Sequence, residues 1–486
     1  PMLELTKIFS GDKNKAALSK DEVAKLLGTT PAALAAFEES YRKHILSTEP
    51  DGSNFFDVNA KQAAAMRTAE EITAVAKELN DRIIAELLAQ TYMMTYDGAE
   101  LTTRKLEPGG QPTVEKSGLP AVVENQPVTN GDIQRLPKPL RPQLSGNLMK
   151  RDMPGKSSDM LLFFYKKYLE EKNPGKKQMF YRQFRWGLDT LDLDGLTYEM
   201  LGTNPNNMGY WLPELIESVK KQDFFKVPKT QIMKVPMTLL QLSRIDYGEL
   251  TSSTMDVVDR FCFQAFGLDE SKNYFIKTGT YSSKYDFRNA KVAGAKEVRE
   301  LGEYLLFIQH QAAMMASPLA TPRFYGVSTT NEWVVREFIE DVEGNPSIYK
   351  GLPLHTEYRV FVDFDDGAVL GMNPYWDPEV MKQRFGHEND ADSPHQIHDY
   401  IIYRSHEETL MKRYNENAEH IWRGIEVMLP DVNLPGQWSI DVMQNGDDFY
   451  IIDMALAENS ALRRCVPQGL LKHAPENWLP RLPEPA

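Results

Sequence analysis

The sequence predicts an α+β protein. Three observations carry this: apolar residues at helical spacing dominate the first hundred positions, strands and helices alternate beyond Lys272, and two period-two hairpins lie near the C-terminus. The chain has 486 residues, of which 42% are hydrophobic and 26% charged, the composition of a folded chain with a large core. Its formal net charge of −14 argues against nucleic acid as a partner, because phosphate binding rests on clustered Lys and Arg. Cys262 and Cys465 stand far apart without metal-ligand spacing, which suits a reducing compartment. Neither a run of about 18 apolar residues nor a charged leader before one is found, so the expectation is a cytoplasmic protein without a membrane partner.

Residues 1–98 are expected to form a helical region. "LSKDEVAKLLGTTPAALAAFEESYRKHIL" holds a capping box, Ser19 with Glu22, a stop at Gly28 and a second start at Thr30-Pro31. The second helix carries Phe37, Glu38 and Glu39 where a DNA reader needs Arg, Asn or Gln, so an ordinary helical hairpin is preferred. A longer helix is expected from about Ala60 to Tyr92. Residues 99–156, with recurrent Pro and Gly, read as a linker or arm. Residues 157–255 open on a helix and continue with short mixed elements, and 256–330 and 331–486 are expected as two further α+β units, the last with a C-terminal tail.

Four stretches carry the chemistry. In "NYFIKTGTYSSKYDFRNA", residues 273–290, an apolar run ends at Lys277, and Gly279, Thr280, Ser282, Ser283 and Lys284 follow. Small residues, hydroxyls and two lysines suit an anionic phosphate; a strand entering a polar surface loop explains them equally well. "EWVVREFIEDVEG", residues 332–344, is an apolar strand with a charged exit. In "LPLHTEYRVFVDFDDGAVLGMNPYW", residues 352–376, a hairpin turns at Asp365-Asp366-Gly367, and Glu357 and Arg359 project to one face.

The fourth stretch, "WSIDVMQNGDDFYIIDMALAENS" at 438–460, sets Asp441 and Asp453 into two apolar runs. An odd loop centred on Gly446 pairs residue 441 with 451, puts both carboxylates on one face and gathers Trp438, Ile440, Val442, Tyr450 and Ile452 on the other. In that register the aspartates are diagonal neighbours. Two carboxylates so close repel unless a cation lies between them, and hard oxygen ligands suit Mg²⁺. Glu458 and Asn459, just beyond, are candidates to add ligands. The stretch from Phe385 to His406, with His387, His395, His398 and His406, reads as a lid loop.

In this order, "KTGTYSSKYD", "WVVREFI", "GLPLHTEYRVFVD" and the pair "SIDVM" and "YIIDM" resemble the ATP-grasp superfamily. Within it the resemblance is to the eukaryotic cell-division-cycle family of chaperones that assemble translation initiation factor 2, and to related phage and bacterial clades. "YWLPEL" and "FFKVPKTQIMKVP" add to it, and it spans about residues 205–465. The resemblance implies an ATP-grasp core, two α+β subdomains gripping ATP, with ATP and Mg²⁺ as cofactors. Lys277 and Lys284 would meet phosphates under Ser282 and Ser283. Arg336 would point toward the phosphates, the backbone of Glu337, Phe338 and Ile339 would bind adenine, and Glu340 or Asp341 would lie near the ribose. Asp441 and Asp453 would hold Mg²⁺. Ala455 stands where the family usually has Asn, which leaves the last ligand to Asp453 alone or to Glu458 with Asn459. Most members are ligases that activate a carboxylate as an acyl phosphate for attack by an amine, and Arg359, Lys382 and Arg463, with Arg384 and Arg464 as further cations, suit that role. The preferred expectation is such a ligase, its carboxylate and amine unknown, with peptide or protein among the candidates. The alternative is an ATP-binding assembly chaperone or interaction factor with little turnover.

Overall fold

A computed structural model describes residues 69–105, 156–190, 195–282, 290–315, 329–385 and 394–472, with 21, 30–32, 128, 130–134, 136 and 140–144. The N-terminal helical hairpin lies outside the described residues apart from isolated positions, as do Ser283, Lys284 and His387.

The architecture is α+β, built on two sheets. The first has six strands in the order β2-β1-β4-β7-β5-β6: β1 is Tyr92–Tyr96, β2 Leu101–Lys105, β4 Thr230–Lys234, β5 Tyr274–Thr278, β6 Lys291–Val292 and β7 Glu332–Glu337. All its pairings are antiparallel. The second has five, β11-β10-β12-β13-β3, where β3 is Phe225–Lys226, β10 Glu357–Asp363, β11 Ala368–Pro374, β12 Gln437–Asn445 and β13 Asp448–Leu456. Only β13 with β3 is parallel there. A two-stranded hairpin, β8 (Ser347–Ile348) with β9 (Leu352–Pro353), lies in the connection from β7 to β10.

Central strands of the first sheet carry buried apolar residues on both faces because both faces are covered. Met233, Trp333, Val335 and Ile276 join the core formed with helices Ala69–Gln90, Ser252–Ala265 and Leu301–Met315. Ile232 and Val334, on the alternate face, join the core shared with helix Met208–Val219 and the second sheet. Trp211, Leu212, Leu215 and Ile216 are fully buried in that shared core. Each such side chain contributes about 1.5–3 kcal/mol against leaving it exposed. Thr251 caps helix Ser252–Ala265 by accepting from the Thr254 N–H at 3.2 Å.

The strands cut across the expected divisions. β1 and β2 bring residues from the helical region and the linker into the first sheet. β7, expected to open the last unit, lies between β4 and β5, so apart from the short β3 the chain passes to the second sheet only after Glu337. The lid-loop expectation is corrected from residue 394 onward, where Pro394–Met428 forms a single 35-residue helix containing His395, His398 and His406. No helix among the described residues is long and apolar enough to cross a membrane.

Candidate functional site

The two sheets face one another across a cleft lined by residues of both. From the first sheet, Phe275 and Lys277 alternate with core positions on β5 and so share the cleft face. Arg336 stands opposite Phe275 on β7 and is likewise turned to the cleft. Lys277 is 3% exposed, and its Nζ reaches Asp453 Oδ1 on the second sheet at 3.2 Å. The Arg336 guanidinium donates to the carbonyl of Ile452 and to Thr230 Oγ1 at 3.2 Å. Burial pulls its pKa down to about 10, against the pull of Asp453, so it stays charged at neutral pH.

From the second sheet comes a row of polar side chains set by register. Asn373 on β11 is opposite Arg359 on β10, Arg359 is opposite Asp441 on β12, and Asp441 is opposite Asp453 on β13. The Arg359 fork is bidentate on Asp441, with Nε to Oδ1 and Nη2 to Oδ2 both at 2.8 Å. Its guanidinium also lies 4.9 Å from the centroid of the Tyr375 ring. Like charges directly opposite are destabilising, and here each carboxylate has its own cation, Arg359 for Asp441 and Lys277 for Asp453.

The hairpin register corrects the sequence expectation. Asn445 pairs with Asp448 and Val442 with Ile451, so the loop is the two-residue Gly446-Asp447, with Gly446 at φ 65°. A β-bulge between Asp441 and Val442 leaves Ile452 as the extra residue and carries Asp453 directly across from Asp441. The aspartates do share a face, but as opposite partners rather than diagonal neighbours. The apolar face holds Phe449, Ile451 and Met454 with Trp438, Ile440 and Val442, in place of the expected Tyr450 and Ile452. The carbonyl of the bulged residue is the one that Arg336 holds.

The strand exit after β7 brings Glu337, Phe338 and Ile339 to the cleft, and Lys291 Nζ lies 4.4 Å from the centroid of the Phe338 ring. Ser282 lines the cleft as well. Glu340 does not: it is exposed, and accepts from Asn273 Nδ2 at 2.9 Å. Gly279 has a packing role rather than the expected anion-binding one. Its N–H donates to the Glu332 carbonyl, and a Cβ there would lie 2.6 Å from Thr330 Oγ1. Glu332 accepts from the Gly209 N–H at 3.0 Å, and burial raises its carboxyl to about 7.

Other expected residues fall outside this cleft. Lys382 and Arg463 are exposed, on a helix and a 3₁₀ turn respectively, and neither lines it. Glu458 is half-buried near Arg185 and Arg463, with its carboxyl raised by burial, and Asn459 is exposed and accepts from Asn206 Nδ2 at 3.0 Å. Neither reaches the Asp441 and Asp453 pair as a lining residue. Residues that the sequence reading did not single out complete the walls: Phe275, His355, Tyr375, Trp376 and Met443. All five lie within quoted motifs, so position was legible while orientation was not.

Two facing carboxylates, countered by a buried lysine and a forked arginine beside apolar walls, fit a magnesium-bound polyphosphate with an aromatic base. No protein-family model and no curated protein matches the chain. Among solved structures, it is similar to Cdc123 from Schizosaccharomyces pombe at 16% identity and a TM-score of 0.30. The match covers 55% of this chain and 87% of that one. A C-terminally truncated form of the same yeast protein matches at 15% identity over the same shares, again with a TM-score of 0.30. At that depth the likeness is a similarity only, and the reading of the site rests on its own residues.

Proposed function

We propose that the cleft binds ATP with Mg²⁺ and that the bound nucleotide supports association with a protein partner. The observation that carries this reading is the row Arg359, Asp441, Asp453, continued by Lys277 from the other sheet. Asp441 and Asp453 would hold the metal, whose charge would offset that of the phosphates. Lys277 and Arg336, which line the cleft, would meet phosphate oxygens, and Phe275 with the backbone of Glu337 to Ile339 would receive the base.

The choice of a binding factor over a ligase follows from the cations. Stabilising an acyl phosphate and its transition state needs several positive groups at the reacting end. Of the expected cations whose side chains are described, Arg359 alone lines the cleft, and it is engaged by Asp441. Arg359 is also the observation that keeps carboxylate–amine ligation as a second reading, since metal binding at Asp441 would release its fork toward a substrate.

Calorimetry on the full chain tests the proposal. Saturable ATP binding that requires Mg²⁺ is the expected outcome, and its absence from folded protein overturns both readings. ADP release that stays low whatever carboxylate and amine are added supports the binding factor; release that depends on such a pair supports the ligase.

A further inference from the structure

Outside the aspartate row, a second set of ligand-type side chains converges on the connection between β7 and β10. Asp341 and Glu343 lie at its start and His355 at its end. One ligand atom from each lies within 4.8 Å of the others. His355 Nδ1 is 3.6 Å from Asp341 Oδ1 and 3.9 Å from Glu343 Oε1, too far for a hydrogen bond to either. Both His355 Nδ1 and Glu343 Oε1 are buried with no hydrogen-bond partner, and His355 is only 4% exposed. Orphaned polar atoms inside a fold are costly, so two of them aimed at one point call for a shared occupant.

The surrounding groups orient this set. Asn345 donates to both oxygens of Asp341, from its N–H at 2.7 Å and from Nδ2 at 2.8 Å. Arg413 Nη1 lies 3.4 Å from Glu343 Oε2, the oxygen turned away from His355, and 2.8 Å from Asn345 Oδ1. His406 Nε2 is 3.0 Å from the same Asn345 oxygen. Two carboxylates against one guanidinium leave a net negative charge for a divalent cation to offset. Such outer partners are what fix first ligands in metal sites.

We infer that Asp341, Glu343 and His355 form a site for a divalent transition metal of the zinc type, separate from the Asp441 and Asp453 pair. One imidazole and two carboxylates match zinc's ligand preferences, whereas Mg²⁺ avoids imidazole. Tetrahedral zinc with bonds of about 2.0–2.1 Å holds its ligand atoms about 3.3 Å apart, so from 3.6 and 3.9 Å the imidazole and the carboxylates need to draw together by less than an ångström. The ion would staple the two ends of the connection that carries β8 and β9, and so steady the wall that His355 gives the cleft. The inference does not depend on what the cleft binds.

Equilibrium dialysis of nucleotide-free full chain, stripped with chelator and returned to Zn²⁺, tests it. One Zn²⁺ per chain is expected, at least tenfold weaker in both His355→Asn and Glu343→Gln and unchanged in Asp453→Asn. Because a variant may lose its fold, Co²⁺ titrated into the unaltered chain gives an independent reading: intense visible absorption of a four-coordinate ion is expected. No saturable Zn²⁺ binding, a weak six-coordinate Co²⁺ spectrum, or equal affinity in both folded variants overturns the site and leaves the three side chains as a histidine–carboxylate ion pair.

Discussion

Asp441 is buried, and its partner Arg359 is nearly so, with side-chain exposures of 7% and 15%. Removing one member of such a pair leaves a charge without its counterion, at a cost of about 3–5 kcal/mol. Asp441→Asn is therefore expected to lower the melting temperature of nucleotide-free protein, whereas mutual repulsion of two unscreened aspartates would have made the same change neutral or stabilising. Asp453 is 42% exposed, so Asp453→Asn is expected to cost less than Asp441→Asn. Thermal denaturation of the two variants checks the order, and an equal or raised melting temperature for Asp441→Asn would show that the Arg359 fork adds nothing. Lys277→Ala removes a cation that β5 holds in place, and should weaken ATP binding in Mg²⁺ by roughly tenfold or more, about 1.4 kcal/mol per decade. Calorimetry on folded variant protein decides it.

At the scale of an element, the β12–β13 hairpin depends on its bulge. Paired without the bulge, the uniform register from the turn would put Ile452 opposite Asp441 and set Asp453 on the apolar face opposite Ile440. Arg336 holds the freed carbonyl of Ile452, which ties β7 of one sheet to the irregular point of the other. Arg336→Met keeps much of the side-chain volume but leaves that carbonyl and Thr230 without their donor. An unsatisfied buried group costs about 1–3 kcal/mol. A lower urea midpoint with an unaltered m-value is expected, and an unchanged midpoint would show that the clamp is dispensable. The turn itself was visible in the letters Asn-Gly-Asp-Asp, yet its register was not. Apolar residues occur at both Ile451 and Ile452, so two registers segregate the faces almost equally well, and only packing of Phe449 and Ile451 against helix Met208–Val219 and the shared core separates them.

Across the whole molecule, Glu332 joins the first sheet to the start of helix Met208–Val219 and to Gly279. Its folded-state pKa of about 7 exceeds the ordinary 4.5. The native state therefore holds a proton that the unfolded chain has released between those values, and stability falls as pH rises from about 4.5 to about 7, by at most about 3 kcal/mol. Glu332→Gln can still accept from the Gly209 N–H and has no charge to bury. The variant is expected to lose less stability than the unaltered chain between pH 5 and pH 8. Melting curves at the two pH values check this, and identical pH responses would remove Glu332 from the account.

What the sequence determined by itself was local. The α+β class, the hairpin turns at Gly367 and Gly446, and the presence of Lys277, Arg336, Arg359, Asp441 and Asp453 on apolar strands follow from periodicity and turn chemistry, which act between near neighbours. Partnership was decided only by the tertiary structure. That β7 enters the first sheet, that Arg359 rather than a neighbouring residue answers Asp441, and that Lys277 crosses to Asp453 are contacts between segments up to 176 residues apart. The convergence of His355 on Asp341 and Glu343 is of the same kind, since it is made by closing a connection whose ends carry no mark of one another. Lys382 and Arg463 make the converse point: a cation near a motif in sequence faces the cleft only if its strand or helix turns it there, and theirs leave them exposed.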